Sequence, residues 1–135
     1  MRQRQLFWAA TALAAAQILH GAIPGPNEEG GSPIGLIVGF VLLVASVTAA
    51  VGARKDKPWA GRTLALTGAG VAIGFVLYHS IPVKTPLNYP YWGHHQPTAN
   101  AAQWGAVLLC VAVGAVAVRV GLSGRETAAT IQASG

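Results

Sequence analysis

Four apolar runs constrain this chain more than any other feature. They cover residues 6–23, 34–53, 63–81 and 101–118, and none contains Asp, Glu, Lys or Arg. Each has 18 to 20 residues, which as a helix approaches the ~30 Å thickness of a hydrocarbon core. A backbone in lipid satisfies its hydrogen bonds only within helices or closed barrels. The runs therefore predict an all-α, integral membrane four-helix bundle.

Composition and charge agree with lipid as the solvent. Hydrophobic residues make up 53% of the chain and charged residues only 10%, whereas about 25% charge is usual for a soluble domain. The net charge of +5 does not come from one basic face or arm, so we expect no nucleic-acid partner. The basic residues lie instead at the ends of the apolar runs.

This distribution of basic residues predicts the orientation. Eight of the nine flank the runs on one side, and only Lys84 lies on the other. Cytoplasmic loops are enriched in Lys and Arg, so both termini and the 54–62 loop are expected in the cytoplasm, with the protein in the plasma (inner) membrane. The eight are Arg2, Arg4, Arg54, Lys55, Lys57, Arg62, Arg119 and Arg125.

The two ends of the chain need separate interpretations. The first run follows a basic MRQRQ segment and could be a signal peptide. It is longer than an h-region of about 7–15 residues and lacks a clean small-residue cleavage site after it, so we interpret it as a retained helix. Residues 1–122 then form the membrane domain. Residues 123–135 are polar and small and are predicted to be a disordered cytoplasmic tail.

A weak internal repeat relates the first and third runs. The segments ILHGAIP (18–24) and LYHSIP (77–82) each place a histidine just before an Ile-Pro exit. If the match is more than coincidence, the chain consists of two parallel helical hairpins, and His20 and His79 lie at the same outer depth.

Two GxxxG patterns indicate close helix packing. Gly35 and Gly39 form one on the second run, and Gly70 and Gly74 form the other on the third. Small residues let helix backbones approach each other in lipid. We interpret both as packing faces within the bundle, with homodimerisation as the alternative.

All four histidines, His20, His79, His94 and His95, are predicted on the outer side. Three interpretations remain open. His20 and His79 could hydrogen-bond the long Pro- and aromatic-rich loop (82–100) and hold it on the bundle, which we favour. They could bind Cu or Zn together with a loop histidine. They could also ligate a haem between facing helices.

Other polar residues in the spans are candidates for packing or ligand contacts. Gln17 lies one helical turn before His20 and is expected to face the same groove, where an interhelical hydrogen bond is favoured over a ligand contact. Tyr78 could make a similar contact. The single cysteine, Cys110, lies mid-run and is interpreted as a small packing residue.

The sequence favours a non-enzymatic accessory or structural component that packs against other membrane subunits or against itself. No span carries the carboxylate that a proton-coupled small exporter needs, and the sequence lacks the nucleophile elbow that would indicate a hydrolase. A metal- or haem-binding redox or metal-handling protein is the alternative, and a small transporter or channel is a weaker one. Lipid or quinone binding between the helices stays open.

Overall fold

The computed structural model describes residues 2–24, 32–82 and 99–133, with side chains described as far as residue 123. These residues form four α-helices and, over the same ranges, no strand. Helix α1 spans Arg2–Ala22, α2 spans Pro33–Arg54, α3 spans Ala60–Ser80 and α4 spans Ala101–Ala133. The predicted all-α class is confirmed.

Three of the four predicted spans are confirmed as helices long and apolar enough to cross a membrane. Within the described residues these are Pro33–Arg54, Ala60–Ser80 and Ala101–Ser123, which indicates an integral membrane protein. Helix α1 is not among them. It begins with the polar stretch RQRQ and carries Gln17 and His20 in its second half, and these residues dilute its mean hydropathy.

Local chemistry explains where α2 begins and ends. The Ser32 hydroxyl accepts a hydrogen bond from the Gly35 N–H at 3.0 Å, and Pro33 occupies the first helical turn, where its missing N–H costs nothing. At the other end Asp56 adopts a positive φ of 52°. The Lys57 N–H then bonds back to the Gly52 carbonyl at 2.9 Å, in the manner of a left-handed helix cap.

The helices pack around a core of small residues. Helix α1 contacts α2 and α4, α2 contacts α3, and α3 makes its most extensive contact with α4, whereas α1 and α3 touch only slightly. Alanine dominates the buried positions, and the larger fully buried side chains are few: Leu13, Leu64, Val71 and Cys110. Small side chains allow the close approach that helices in lipid require.

The closest backbone approach lies between α3 and α4, at glycines outside the predicted GxxxG patterns. A Cβ added at Gly68 would come within 2.6 Å of the Gly114 carbonyl oxygen, and one added at Gly121 within 2.5 Å of the Gly61 carbonyl oxygen. Each helix contributes two glycines seven residues apart, which places both on one face. At these glycines the two helices therefore meet through backbone as well as through small side chains such as those of Ala72 and Ala117.

The predicted GxxxG faces are only half used within the chain. A Cβ at Gly35 would strike the Tyr78 ring, and one at Gly70 would lie 3.0 Å from Leu42. At Gly39 and Gly74 nothing lies within 4 Å. The prediction that all four glycines serve as packing faces inside the chain is therefore wrong for Gly39 and Gly74, because no neighbouring atom packs against either position.

Helix α4 continues to Ala133, through the segment predicted as a disordered tail. The disordered tail stays a prediction. The internal repeat also stays a prediction. Helices α1 and α3 do run in the same direction, since the histidines near their C-termini meet.

Candidate functional site

The C-terminal ends of α1 and α3 bring His20 and His79 together. Each histidine lies in the last turn of its helix. The two ring centroids are 5.2 Å apart and the planes meet at 64°, an edge-to-face arrangement. The residues singled out from two distant segments are therefore in direct contact.

Two aromatic rings from α3 complete this cluster. Phe75 lies one helical turn before His79, with its ring centroid 4.6 Å from that of His20 and 5.9 Å from that of His79. The ring of Tyr78 meets His79 edge-on at 4.9 Å. Edge-to-face contacts of this kind stabilise a cluster beyond its burial alone. We call these four residues the histidine cluster.

The two histidines differ in their surroundings. His79 is only 3% exposed, whereas His20 is half-buried. The Nδ1 atom of His20 is itself buried and has no hydrogen-bond partner among the described residues. An unpaired buried polar atom costs about 1–3 kcal/mol, so this nitrogen is the one feature of the cluster that packing does not explain.

Tyr78 joins α3 to the start of α2. Its hydroxyl accepts a hydrogen bond from the Ser32 N–H at 2.9 Å and donates one to the Ser32 hydroxyl at 3.2 Å. Its ring occupies the space that the missing side chain of Gly35 leaves open. Of the two roles considered for Tyr78, the described contacts are those of packing.

Gln17 joins α1 to α2 deep in the fold. Its side-chain N–H groups donate to the Ser46 hydroxyl at 2.9 Å and to the Leu13 carbonyl at 3.1 Å. Ser46 is fully buried, and its hydroxyl donates to the Leu42 carbonyl at 2.9 Å. The Oε1 atom of Gln17 has no partner in the described part of the chain. Gln17 is thus committed mainly to an interhelical hydrogen bond.

Gln103 is a residue that the sequence reasoning missed. Its Nε2 donates to the Pro24 carbonyl at 2.6 Å, which ties the start of α4 to the end of α1. Its Oε1 accepts from the Asn100 N–H at 2.7 Å, while its own N–H donates to Asn100 Oδ1 at 3.0 Å. This reciprocal pattern is a capping box, and the spacing Asn-x-x-Gln before an apolar run could have indicated it.

The separation of His20 and His79 would allow both to bind one metal ion, but the ion would need further ligands. Two imidazoles that bind one tetrahedral ion at about 2.0–2.1 Å have ring centroids about 5 Å apart, close to the observed separation of His20 and His79. However, no group of three His, Cys, Asp or Glu side chains occurs within residues 2–24, 32–82 and 99–123. His94 and His95 lie outside the described residues, so the proposed third ligand is untested.

Haem does not fit between these two histidines as they stand. A bis-histidine haem requires the porphyrin to lie between the two imidazoles. The rings of His20 and His79 are instead in edge contact, and Phe75 packs against both. No gap remains for a macrocycle.

Comparison with known proteins adds no assignment. No protein-family model, no curated protein and no solved structure matches this chain.

Proposed function

We propose that this protein is a non-enzymatic accessory or structural component of a membrane assembly. In this proposal all four helices cross the plasma (inner) membrane as a bundle, with both termini in the cytoplasm, and the α2–α3 surface receives a helix of another membrane subunit or of a second copy. The observation that carries the proposal is open space beside Gly39 and Gly74, where an added Cβ would meet no neighbour within 4 Å. We infer that this space is a groove between α2 and α3.

The groove is defined by the two contacts between α2 and α3 that lie on either side of it. On one side of it the Tyr78 ring packs on Gly35, and on the other Leu42 packs on Gly70. The antiparallel register places Gly39 and Gly74 between these contacts, and neither has a neighbour within 4 Å. Two glycines facing a common gap give a shallow groove that a helix backbone can approach closely.

The exposure of the rest of α2 agrees with a helix that faces away from the bundle. Its buried residues, from Ser46 to Ala53, all lie in its C-terminal half, and most of its large side chains are exposed. The exposed side chains near the groove are apolar: Leu36, Ile37, Val38, Phe40 and Val41. Such a surface suits lipid and partner helices equally, so the glycine groove, rather than hydrophobicity, is what favours a partner.

The polar groups of the spans also fit a structural role. Gln17, Tyr78 and Cys110 each bond to a group on another helix or its cap, and none of the four apolar runs contains a charged residue. Polar groups used for helix association do not line a solvated pathway, which argues against the transporter or channel alternative.

The proposal is tested by solubilising the membranes in a mild detergent and measuring the size of the tagged protein. We expect a complex larger than the monomer. Gly39→Leu and Gly74→Leu should each shift it towards the monomer, because a leucine fills the groove. Gly105→Leu is the matched control, since Gly105 also has nothing within 4 Å but lies on α4.

Three results would contradict the proposal. A wild-type protein that elutes as a monomer under these conditions would overturn the accessory role. A complex that the groove variants leave intact, or that Gly105→Leu weakens to the same extent, would overturn the groove as the interface.

A second candidate function is binding of a copper or zinc ion by the histidine cluster. The unpartnered, buried Nδ1 of His20 and its contact with the His79 ring favour it. His94 or His95 would supply further ligands, since imidazole suits both metals. The cluster lies at the predicted outer end of the spans, where metal handling or redox chemistry would take place.

Elemental analysis of the purified protein separates this candidate from a purely structural cluster. Binding predicts one equivalent of metal, lost in His20→Phe and in at least one of His94→Ala and His95→Ala. The phenylalanine keeps an aromatic ring against Phe75, so it tests ligation with the packing retained. A metal-free wild type that also fails to bind added zinc or copper would exclude the metal.

A further inference from the structure

A cleft lies at the opposite end of the molecule from the histidine cluster. It has a volume of about 420 Å³ and opens between the first turns of α1 and the last turn of α2. Its lining residues are Gln3, Arg4, Phe7, Ala53, Arg54 and Asp56. This volume falls within the range of about 300–1,000 Å³ typical of small-molecule sites.

The cleft is lined by charges of both signs, which a simple anion site would not need. Arg4 and Arg54 come from different helices and both line the same space, which suits a phosphate group. Asp56 lines it as well and would repel a ligand that is only anionic. A ligand carrying both a phosphate and a cationic group satisfies all three side chains.

Gln3 specifies the cationic group further. Its Oε1 atom is covered and has no hydrogen-bond partner among the described residues, and a ligand reaches it when the Gln3 side chain turns into the cleft that it lines. An amide oxygen can only accept, so its complement must donate a hydrogen bond. A primary ammonium carries three N–H donors and can serve both this oxygen and the Asp56 carboxylate, whereas a quaternary ammonium carries none.

The surroundings of the cleft indicate a lipid rather than a free headgroup compound. Val51 and Val47 precede Arg54 on α2 by three and seven residues and are 47% and 49% exposed, and this spacing places them on the same helix face. Trp8, which is 58% exposed, meets Phe7 edge-on at 5.3 Å and forms an aromatic border of the kind found at membrane interfaces. Apolar surface therefore continues from the charged cleft into the membrane.

From these features we propose that the cleft binds the phosphoethanolamine headgroup of a membrane phospholipid. Arg4 and Arg54 hold the phosphate. The Asp56 carboxylate and the side-chain Oε1 atom of Gln3 accept hydrogen bonds from the ammonium. The acyl chains lie along Val51 and Val47. The inference depends on membrane insertion but not on a partner subunit, so a protein that purifies as a monomer can still bind the lipid here.

Native mass spectrometry of the full-length, delipidated protein tests the assignment. The protein is titrated with phosphatidylethanolamine, phosphatidylcholine and phosphatidylglycerol of identical acyl chains. We expect phosphatidylethanolamine to bind about tenfold more tightly than the other two, since each lacks the N–H donors that a charged hydrogen bond requires. Equal binding of phosphatidylethanolamine and phosphatidylcholine, or preference for either other lipid, would overturn the proposal.

Variants assign the headgroup to this cleft. Arg54→Gln should weaken binding of all three lipids about tenfold, as expected for loss of a charge-assisted contact. Arg62→Gln, which removes an exposed arginine outside the cleft, should change it less than twofold. Gln3→Met and Asp56→Asn should each abolish the preference for ethanolamine over choline while phosphate binding persists. Asparagine tolerates the positive φ of Asp56, so that variant keeps the backbone.

A competition experiment separates the lipid from a soluble source of the same headgroup. We expect millimolar phosphoethanolamine to leave the lipid adduct in place, because it lacks the acyl contacts. Displacement at that concentration would assign the cleft to a soluble ligand and overturn the lipid assignment. Equal effects of Arg54→Gln and Arg62→Gln would show only general attraction to the membrane surface and would overturn the site itself.

Discussion

Tyr78 shows how single residues join the helices of this protein. Its ring fills the space above Gly35 on α2, and its hydroxyl bonds to Ser32, the cap of the same helix. Both contacts act between the end of α3 and the start of α2. Because Tyr78 precedes His79, they also fix the histidine cluster relative to α2.

The two glycines of the first GxxxG pattern should respond oppositely to the same substitution. Gly35→Ala forces a methyl group into the Tyr78 ring and should destabilise the protein by about 1–3 kcal/mol, as overpacking does. Gly39→Ala meets nothing and should be neutral or stabilising by up to about 1 kcal/mol through helix propensity. Free energies of unfolding measured by denaturing-detergent titration in mixed micelles check both. Equal destabilisation by the two variants would contradict the described α2–α3 contact.

Gln17 and Ser46 should couple weakly despite their burial. Hydrogen bonds between membrane helices contribute about 0.6 kcal/mol on average and at most about 1.7 kcal/mol, and Gln17 keeps its bond to the Leu13 carbonyl when Ser46 is replaced. A double-mutant cycle of Gln17→Met and Ser46→Ala, measured by the same unfolding titration, should give a coupling energy in that range. A coupling of zero would show that the 2.9 Å contact contributes nothing to stability.

At the residue scale, the sequence predicted which side chains lie close together better than it predicted which groups form hydrogen bonds. The matched exits after His20 and His79 indicated that the two rings lie at one depth, and the rings are in contact. The bond from Gln103 to Pro24 could not be derived, because it depends on how the ends of α1 and α4 approach each other. No local pattern encodes that distance.

Among the helices, the pairing of α3 with α4 is the tightest and depends on four glycines. Gly61 and Gly68 on α3 face Gly121 and Gly114 on α4, close enough that an added Cβ would meet backbone atoms. Backbone carbonyls cannot rotate away as the end of a flexible side chain can. This interface therefore has little tolerance for added volume.

Gly68→Ala should be among the most damaging alanine substitutions in the chain. The new methyl would lie 2.6 Å from the Gly114 carbonyl oxygen and 2.8 Å from the Ala117 Cβ, so the helices must separate, at a cost of about 3 kcal/mol. Gly74→Ala, on the same helix but with open space, is the control and should cost nothing. The unfolding titration would contradict this packing if the two variants proved equally stable.

The sequence predicted the helices more accurately than their interfaces. Apolar runs set the approximate bounds of α2 and α3, because length and hydropathy decide what can remain in lipid. The GxxxG spacing directed attention to Gly39 and Gly74, whereas the close α3–α4 contact uses a seven-residue spacing. In a chain with 17 glycines, spacing alone does not reveal which of them face a neighbour.

For the whole molecule, helix α1 decides the topology. It is not among the helices apolar enough to be recognised as spans, yet it packs against both α2 and α4 and buries Gln17 against α2. Its polar residues are partly enclosed by protein rather than lipid, which lowers their cost in a membrane. We therefore expect α1 to cross the membrane with the other three, although its hydropathy alone does not require it.

Cysteine labelling in sealed cells tests this topology most directly. In a Cys110→Ala background, single cysteines replace Arg4, Asp56 or Glu28, and a membrane-impermeant maleimide is added from outside. The account predicts labelling at position 28 only, with positions 4 and 56 reacting once the membrane is opened. Labelling of position 56 from outside, or of positions 4 and 56 from opposite sides, would contradict a membrane-crossing α1 with the N-terminus and the 54–62 loop in the cytoplasm.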